Sequence, residues 1–314
     1  MEVRNKMHDA YRPSTKKSYS TYLKKWSGFC VENKINQNEP TLAQGNTFLS
    51  KLEDTGVKFG AVNTARSAMS AVLPFYEGGT FGNHQLTSVF CKSVYERNPP
   101  APRYAQFWDV KKVFNLFKSE KWCDPPLELL GKKVVMLILL TTGRRGQIVK
   151  ALDVHYMEFI DDTIVFYLQV LEKSNHVGDA RSTVTLRSYP KCKHLCVVST
   201  VKKYISMTKD LRKGAGQLLI SSMKPHLPIS RDSVSRWTMQ VMQEANIDVE
   251  KYKGHTPRGV FASHALPALQ RKSIPINCLM RHCGWKSEES FANHYHKPIE
   301  REVDIAELVL DENT

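Results

Sequence analysis

Apolar positions recur every three or four residues through most of the first hundred. In STKKSYSTYLKKWSGFCVENK, opened by Ser14 and Thr15, they fall at Tyr19, Tyr22, Leu23, Trp26 and Phe29/Cys30. In TLAQGNTFLSKLEDTG they are Leu42, Phe48, Leu49 and Leu52, with Gly56 as the stop. In NTARSAMSAVLPFY they are Ala65, Met69 and Val72/Leu73, ended around Pro74. This is the period of helices that bury one stripe. Nothing here alternates as a strand would, so a small all-helical domain is expected.

The pattern breaks at Asn98-Pro-Pro-Ala-Pro-Arg103, where three prolines in six residues cannot continue a helix and make a stiff connector. Helical spacing resumes in WDVKKVFNLFKSEK and PLELLGKKVVMLILLTTG. After RRGQIVKAL the period changes. MEFIDDTIVFYLQVL and ARSTVTLRSY are rich in Ile, Val, Phe, Tyr and Thr, with polar turns at Asp161-Asp162 and Val177-Gly178-Asp179. A small antiparallel sheet of about three strands is predicted, with Lys173 at or near its second turn. From Val197 onward the chain reads as helical again. The expected fold is therefore mainly α with a small antiparallel β-sheet: a helical domain over residues 1–98, a linker at 99–103, and an α+β domain over 104–314.

Charge sharpens this picture. Forty-five Lys and Arg face 31 Asp and Glu, a formal net charge of +14. The excess is spread along the chain, which favours a folded basic face over a disordered arm, and such a surface attracts nucleic acid. In the first domain Lys16, Lys17, Lys24, Lys25 and Arg66 are expected on exposed faces that could grip phosphates. A solvated basic helix face would look the same. The longest apolar run, Val134 to Leu140, has seven residues, against the roughly 20 that a membrane-spanning helix needs. The polar start, MEVRNKMHDAYRP, lacks the apolar core of a secretory signal, so a soluble protein made in the cytosol is expected. Seven cysteines, at 30, 91, 123, 192, 196, 278 and 283, form an odd, irregular set that suits reduced thiols. Neither Cys192-Lys-His194-Leu-Cys196 nor Cys278 with His282 and Cys283 has the paired spacing of a structural zinc site, so no metal is expected.

Four features of the second domain carry chemistry. Arg144-Arg145 follow the apolar helix ending in TTG, Lys173 lies in the sheet's turn region, His255-Thr-Pro-Arg258 begins a helix, and Gly284-Trp285 precedes a polar segment ending in Tyr295. Each alone is weak. A lone arginine is usually ion-paired, and a lone tryptophan or tyrosine is usually packed. Their order is what is distinctive. TTGRRGQIVKAL, VLEKSN, GHTPRGVFASHAL and CGWKSEESFANHYHKP resemble, in sequence, the catalytic pattern of the tyrosine recombinases, the phage-integrase superfamily. STKKSYSTYLKKW and NTARSAMSAV look like the SAM-like core-binding domain of those enzymes, so the resemblance covers nearly the whole chain. YPKCKHLCVV, TKDLRK and GWKSEESFANHYHKPI look closest to recombinases of eukaryotic mobile elements of the Crypton and DIRS type.

The resemblance implies a site-specific recombinase or integrase that cuts and rejoins double-stranded DNA through a 3′-phosphotyrosine. Tyr295 would be the nucleophile, and it is the only tyrosine after Tyr252. Arg145 and Arg258 would fork onto the non-bridging phosphate oxygens. Lys173 would protonate the leaving 5′ oxygen, His255 would orient or deprotonate Tyr295, and Trp285 would offer its indole N–H and buttress the site. With cations filling these roles, neither a metal nor ATP is expected, and no phosphate-cradling Gly-x-x-x-x-Gly-Lys loop is present.

Two departures stand out. Bacterial members usually carry an acidic residue three positions after the first arginine. Here that place holds Ile148 if the arginine is Arg145, or Gln147 if it is Arg144. Arg145 matches better, because apolar Leu152 then falls seven residues later. The ten-residue gap from Trp285 to Tyr295 is also one longer than in many bacterial members. In the tail, EREVDIAELVLDENT, residues Val303, Ile305, Ala306, Val309 and Leu310 make a helical stripe. It suits either packing on its own domain or, as the resemblance implies, donation to a neighbour in a DNA-bound homotetramer. A nuclear location is likewise implied. Two other readings stay open: a type IB topoisomerase, and a non-catalytic DNA-binding descendant of such an enzyme.

Overall fold

The computed structural model describes residues 11–101, 103–170, 172, 181–285, 287–295 and 299, with backbone alone at 290 and 293–295. Lys173, the turn predicted at 177–179 and the tail stripe from Val303 to Leu310 lie outside the described residues. The chain divides into two compact units between Pro102 and Arg103.

Among the described residues the first unit has four helices: α1 (Pro13–Glu32), α2 (Leu42–Asp54), α3 (Phe59–Ser70) and α4 (Gln85–Arg97). Pro13 opens α1 at a position whose N–H needs no helical partner. A reciprocal cap starts α2, where Gln44 N–H donates to Thr41 Oγ1 and Thr41 N–H donates to Gln44 Oε1. Trp26, Phe29 and Phe48 meet with ring centroids 5.3–5.8 Å apart, and Leu49, Val62, Ala65 and Met69 complete the core. The all-helical expectation needs one correction. Phe75–Tyr76 and Gly79–Thr80 pair as a short antiparallel hairpin, β1–β2, turned through Glu77 and Gly78, with Gly78 and Gly79 at positive φ. A second correction follows from it. Because α3 ends at Ser70, Val72 leaves the helical stripe and is exposed, while Leu73 stays buried.

The second unit is built around α7 (Leu127–Thr142). Every side chain from Val134 to Leu140 is buried, which requires cover on all sides. That cover comes from α9 (Val197–Thr208), α10 (Arg231–Glu244), α11 (Pro257–Arg271) and strand β5 (Thr183–Arg187). Each such side chain contributes about 1.5–3 kcal/mol when fully buried. The preceding helices are α5 (Lys111–Lys118) and α6 (Glu120–Cys123), and α8 (Gly146–Lys150) follows α7. The sheet runs β3 (Met157–Ile160), β4 (Thr163–Tyr167) and β5 (Thr183–Arg187), all antiparallel. Ile164, Phe166, Val184 and Leu186 point into the core, and the alternate positions point outward. Asp161, at positive φ, makes the turn between β3 and β4. Helices α12 (Ile276–Cys283) and α13 (Glu288–Tyr295) close the described chain beside α11.

Candidate active site

The end of α7 sets the geometry. Gly143 N–H donates to Leu139 O at 3.0 Å, with Gly143 in the left-handed region at φ +58°. A Cβ there would lie 2.7 Å from both Cys283 Sγ and the Phe261 ring, so glycine is required by conformation and by space. The chain then places two arginines in opposite situations. Arg144 is buried and ion-paired with Glu172, and its Nη2 donates to Thr183 O at 3.0 Å. Arg145 caps α8 in an extended conformation and is half-buried. Its Nη1 is shielded from water without a hydrogen-bond partner among the described residues. A charged donor left this way is costly in isolation and well suited to an anionic oxygen.

The HTPR segment meets the same corner. Pro257 opens α11, and Trp108 Nε1 donates to the buried Thr256 hydroxyl at 2.9 Å. Arg258 is buried, donating from Nη1 to Gly143 O at 2.5 Å and to Cys283 O at 2.9 Å. Its guanidinium lies 4.0 Å from the centroid of the Trp285 ring. The Cys283 thiol nearby is pushed up to about 12 by burial, against the opposing pull of Arg258 and Arg144, so it stays neutral. His255 keeps one edge in solvent, while Nε2 lies 3.3 Å from the Tyr104 hydroxyl. Burial of its inner face, and then the charge of Arg103, hold its pKa below the usual histidine range. The imidazole is therefore neutral at pH 7 and able to accept a proton.

Trp285 joins this corner to the last helix. Its ring meets Phe291 edge-on at 5.1 Å, and Phe291 belongs to α13, whose backbone ends at Tyr295. The structure thus brings Arg258 and Trp285 together beside Gly143, two residues before Arg145, and leads α13 to them, while His255, three residues before Arg258, meets Tyr104. Lys173 and the Tyr295 side chain lie outside the described residues. In the first unit Lys17, Lys24 and Lys25 are exposed on α1 and Lys16 is half-covered. Arg66 corrects its expectation: it is half-buried, with Nε shielded from water beside the buried Cys91 thiol. Helix α3 turns that residue toward α4 and away from an open face. No three His, Cys, Asp or Glu side chains cluster as metal ligands among the described residues. His282 lies with Nε2 2.9 Å from Thr141 O.

Sequence reasoning missed Tyr104, Trp108 and Glu172. The aromatic run RYAQFW directly after the prolines was the available signal for the first two, and the carboxylate beside Lys173 for the third.

No family model matches the sequence, and no curated protein matches it. Solved structures do match. The XerH site-specific recombinase, bound to palindromic difH substrate in a post-cleavage complex, aligns with a TM-score of 0.62 at 14% identity, covering 95% of this chain and 78% of that one. A lambda integrase dimer bound to a COC′ core site gives 0.54 at 15%, covering 94% and 75%. The Tn1549 transposon integrase in complex with transposon right end DNA gives 0.53 at 12%, covering 87% and 84%. The fold is that of the tyrosine recombinases.

On this tyrosine-recombinase fold one departure acquires a location. Ile148, three residues after Arg145, is buried in the apolar core, and Gln147 is exposed. No carboxylate reaches the corner from that helix position. Glu172, five residues past the end of β4, pairs with Arg144 there.

Proposed function

We propose that the chain is a site-specific DNA recombinase or integrase of a mobile element, of the Crypton/DIRS kind, acting in the nucleus. Tyr295 attacks a phosphodiester through Oη, forming a 3′-phosphotyrosine as the bond to the 5′ oxygen breaks, and Lys173 gives its proton to that oxygen. Arg145 and Arg258 neutralise the non-bridging oxygens, His255 orients or deprotonates Tyr295, and Trp285 braces Arg258. A 5′ hydroxyl from another strand then attacks the phosphotyrosine and releases Tyr295. The bond energy is conserved, so ATP is not consumed, and the cations take the place of a divalent metal. Residues 1–98 clamp the duplex with Lys16, Lys17, Lys24 and Lys25 along phosphates, and the tail helix links four copies on DNA.

The observation that supports this reading best is the anchoring of Arg258: stacked on Trp285 and bonded to Gly143 O, it is held at the corner that carries Arg145. Charge rigidly placed where charge develops is what phosphoryl transfer needs. The test uses the full chain and Tyr295→Phe with a pool of nicked duplexes of randomised sequence, in EDTA. A wild-type protein–DNA adduct that survives denaturation and is absent from Tyr295→Phe is expected. Duplex binding without an adduct in either protein would overturn catalysis and leave a DNA-binding descendant.

A further inference from the structure

The segment that follows the prolines lies along the HTPR segment. Trp108 Nε1 donates to Thr256 Oγ1 at 2.9 Å, and Phe107 packs so closely on Gly259 that a Cβ there would run into its ring. Both contacts are buried, and they fix the start of α11 against residues 107–108. Tyr104 makes a contact of another kind. It is half-buried, and its hydroxyl lies 3.3 Å from Nε2 of the solvent-facing His255. Three neighbours hold its ring: the Tyr252 ring at 5.8 Å, the Phe107 ring at 5.9 Å and the Arg103 guanidinium at 5.7 Å.

Packing alone does not call for that hydroxyl. A phenylalanine would keep all three ring neighbours, and a hydrogen bond open to water adds little to stability. What the hydroxyl supplies is an orientation. A neutral imidazole has one acceptor nitrogen and one N–H, and its surroundings decide which nitrogen is which. Imidazole is the stronger base of the pair and phenol carries the O–H, so the Tyr104 hydroxyl donates and His255 Nε2 accepts. Nδ1 is then the N–H, and it is the nitrogen left to face a substrate. A protonated ring has no lone pair for Tyr104 to meet, so the bond favours the neutral form. That is the same direction in which burial, and then the Arg103 charge, already move this histidine. Arg103 and Tyr104 are the ionisable groups that this segment sets against it, with Tyr252 stacked behind Tyr104.

We propose that Tyr104 is a positioning residue: its hydroxyl holds Nε2 of His255, so that the ring presents Nδ1–H as a donor and orients the reacting groups. The proposal rests on the cleavage chemistry above, and of the two roles given there to His255 it selects orientation over proton removal.

Two measurements on the full chain test it. Histidine side-chain NMR, with His255→Gln to assign the resonances, reads tautomer and pKa in wild type and Tyr104→Phe. The expected results are an Nδ1–H tautomer in wild type and a pKa about 0.5–1 unit higher in Tyr104→Phe. An Nε2–H tautomer in wild type, or an unmoved pKa, would overturn the proposal. Single-turnover adduct formation on a nicked duplex of the sequence recovered from the randomised pool compares wild type, Tyr104→Phe, His255→Gln and the double variant. Tyr104→Phe should lose about tenfold in rate in the wild-type background and less than about 2-fold in the His255→Gln background, with duplex binding unchanged. Equal losses in both backgrounds, or no loss in the first, would make Tyr104 a packing residue and end its positioning role. Absence of a wild-type adduct would overturn the cleavage reading itself, and the NMR titration would still decide whether Tyr104 sets His255.

Discussion

Among the described residues the first unit buries Thr87 and no charged side chain, whereas the second buries Lys133, Arg144, Glu172, Arg212 and Arg258. The first unit keeps Lys17, Lys24 and Lys25 in water, where charges cost little and follow whatever polyanion approaches. In the second unit the buried charges divide again. Arg144, Glu172 and Arg258 converge on the end of α7. Lys133 donates to Trp122 O at 2.5 Å, and Arg212 donates to Gln217 O and Leu218 O at 2.6 Å each. These last two satisfy backbone carbonyls at Trp122, Gln217 and Leu218, not groups at the end of α7. Buried charge thus has two uses in one domain, and surface charge a third, and each should fail in its own way when removed.

Arg258→Ala should give the largest effect. It removes the fork braced on Trp285, so single-turnover adduct formation should fall about 100- to 1000-fold while duplex binding persists. A loss below about tenfold would dissolve the distinction between the two kinds of buried charge.

Arg212→Met should change stability and leave the rate per folded molecule alone. It abandons two carbonyls and the Thr208 hydroxyl, at a cost of about 2–4 kcal/mol in urea unfolding of the second unit. A matching loss in cleavage rate per folded molecule would tie this charge to the site after all.

Lys17→Gln, Lys24→Gln and Lys25→Gln together should leave stability within about 0.5 kcal/mol of wild type. The slope of log binding constant against log salt should become shallower by about 0.9 for each lysine that meets a phosphate. An unchanged slope would make this face a solvated one.

The smallest effect concerns His255. Its folded pKa is depressed, so on acidification the unfolded chain takes up a proton first. Stability is therefore intact above the unfolded pKa, about 6.5, and is lost as pH falls from there toward the folded value. His255→Gln should flatten that acid limb in thermal melts between pH 7 and pH 5, and an unaltered limb would place the titration elsewhere.

Much of this was legible along the chain. The three- and four-residue spacing located α1, α2 and α7, and the change of period marked the sheet, because both signals are local and set by which side of an element meets the core. The HTPR segment and the TTG stop were also readable, since a proline opening a helix and a glycine closing one act within a single turn. The β1–β2 hairpin was missed because two-residue strands are too short to alternate. Arg66 was misjudged because its cover comes from α4, a different helix.

By itself, the sequence determined two units, the helical and sheet segments, the basic balance, and the order of residues that could attack, neutralise and protonate. The spacing to Leu152 favoured Arg145 over Arg144, but only the tertiary structure gave these chemically identical neighbours different surroundings. One is taken by a carboxylate 28 positions away and one keeps a donor without a partner among the described residues. It likewise put Glu172 beneath Gly284 and Arg258 against Trp285. Periodicity reports which face a residue turns inward, while pairing across the core depends on which distant segment packs there, and no local spacing encodes that choice.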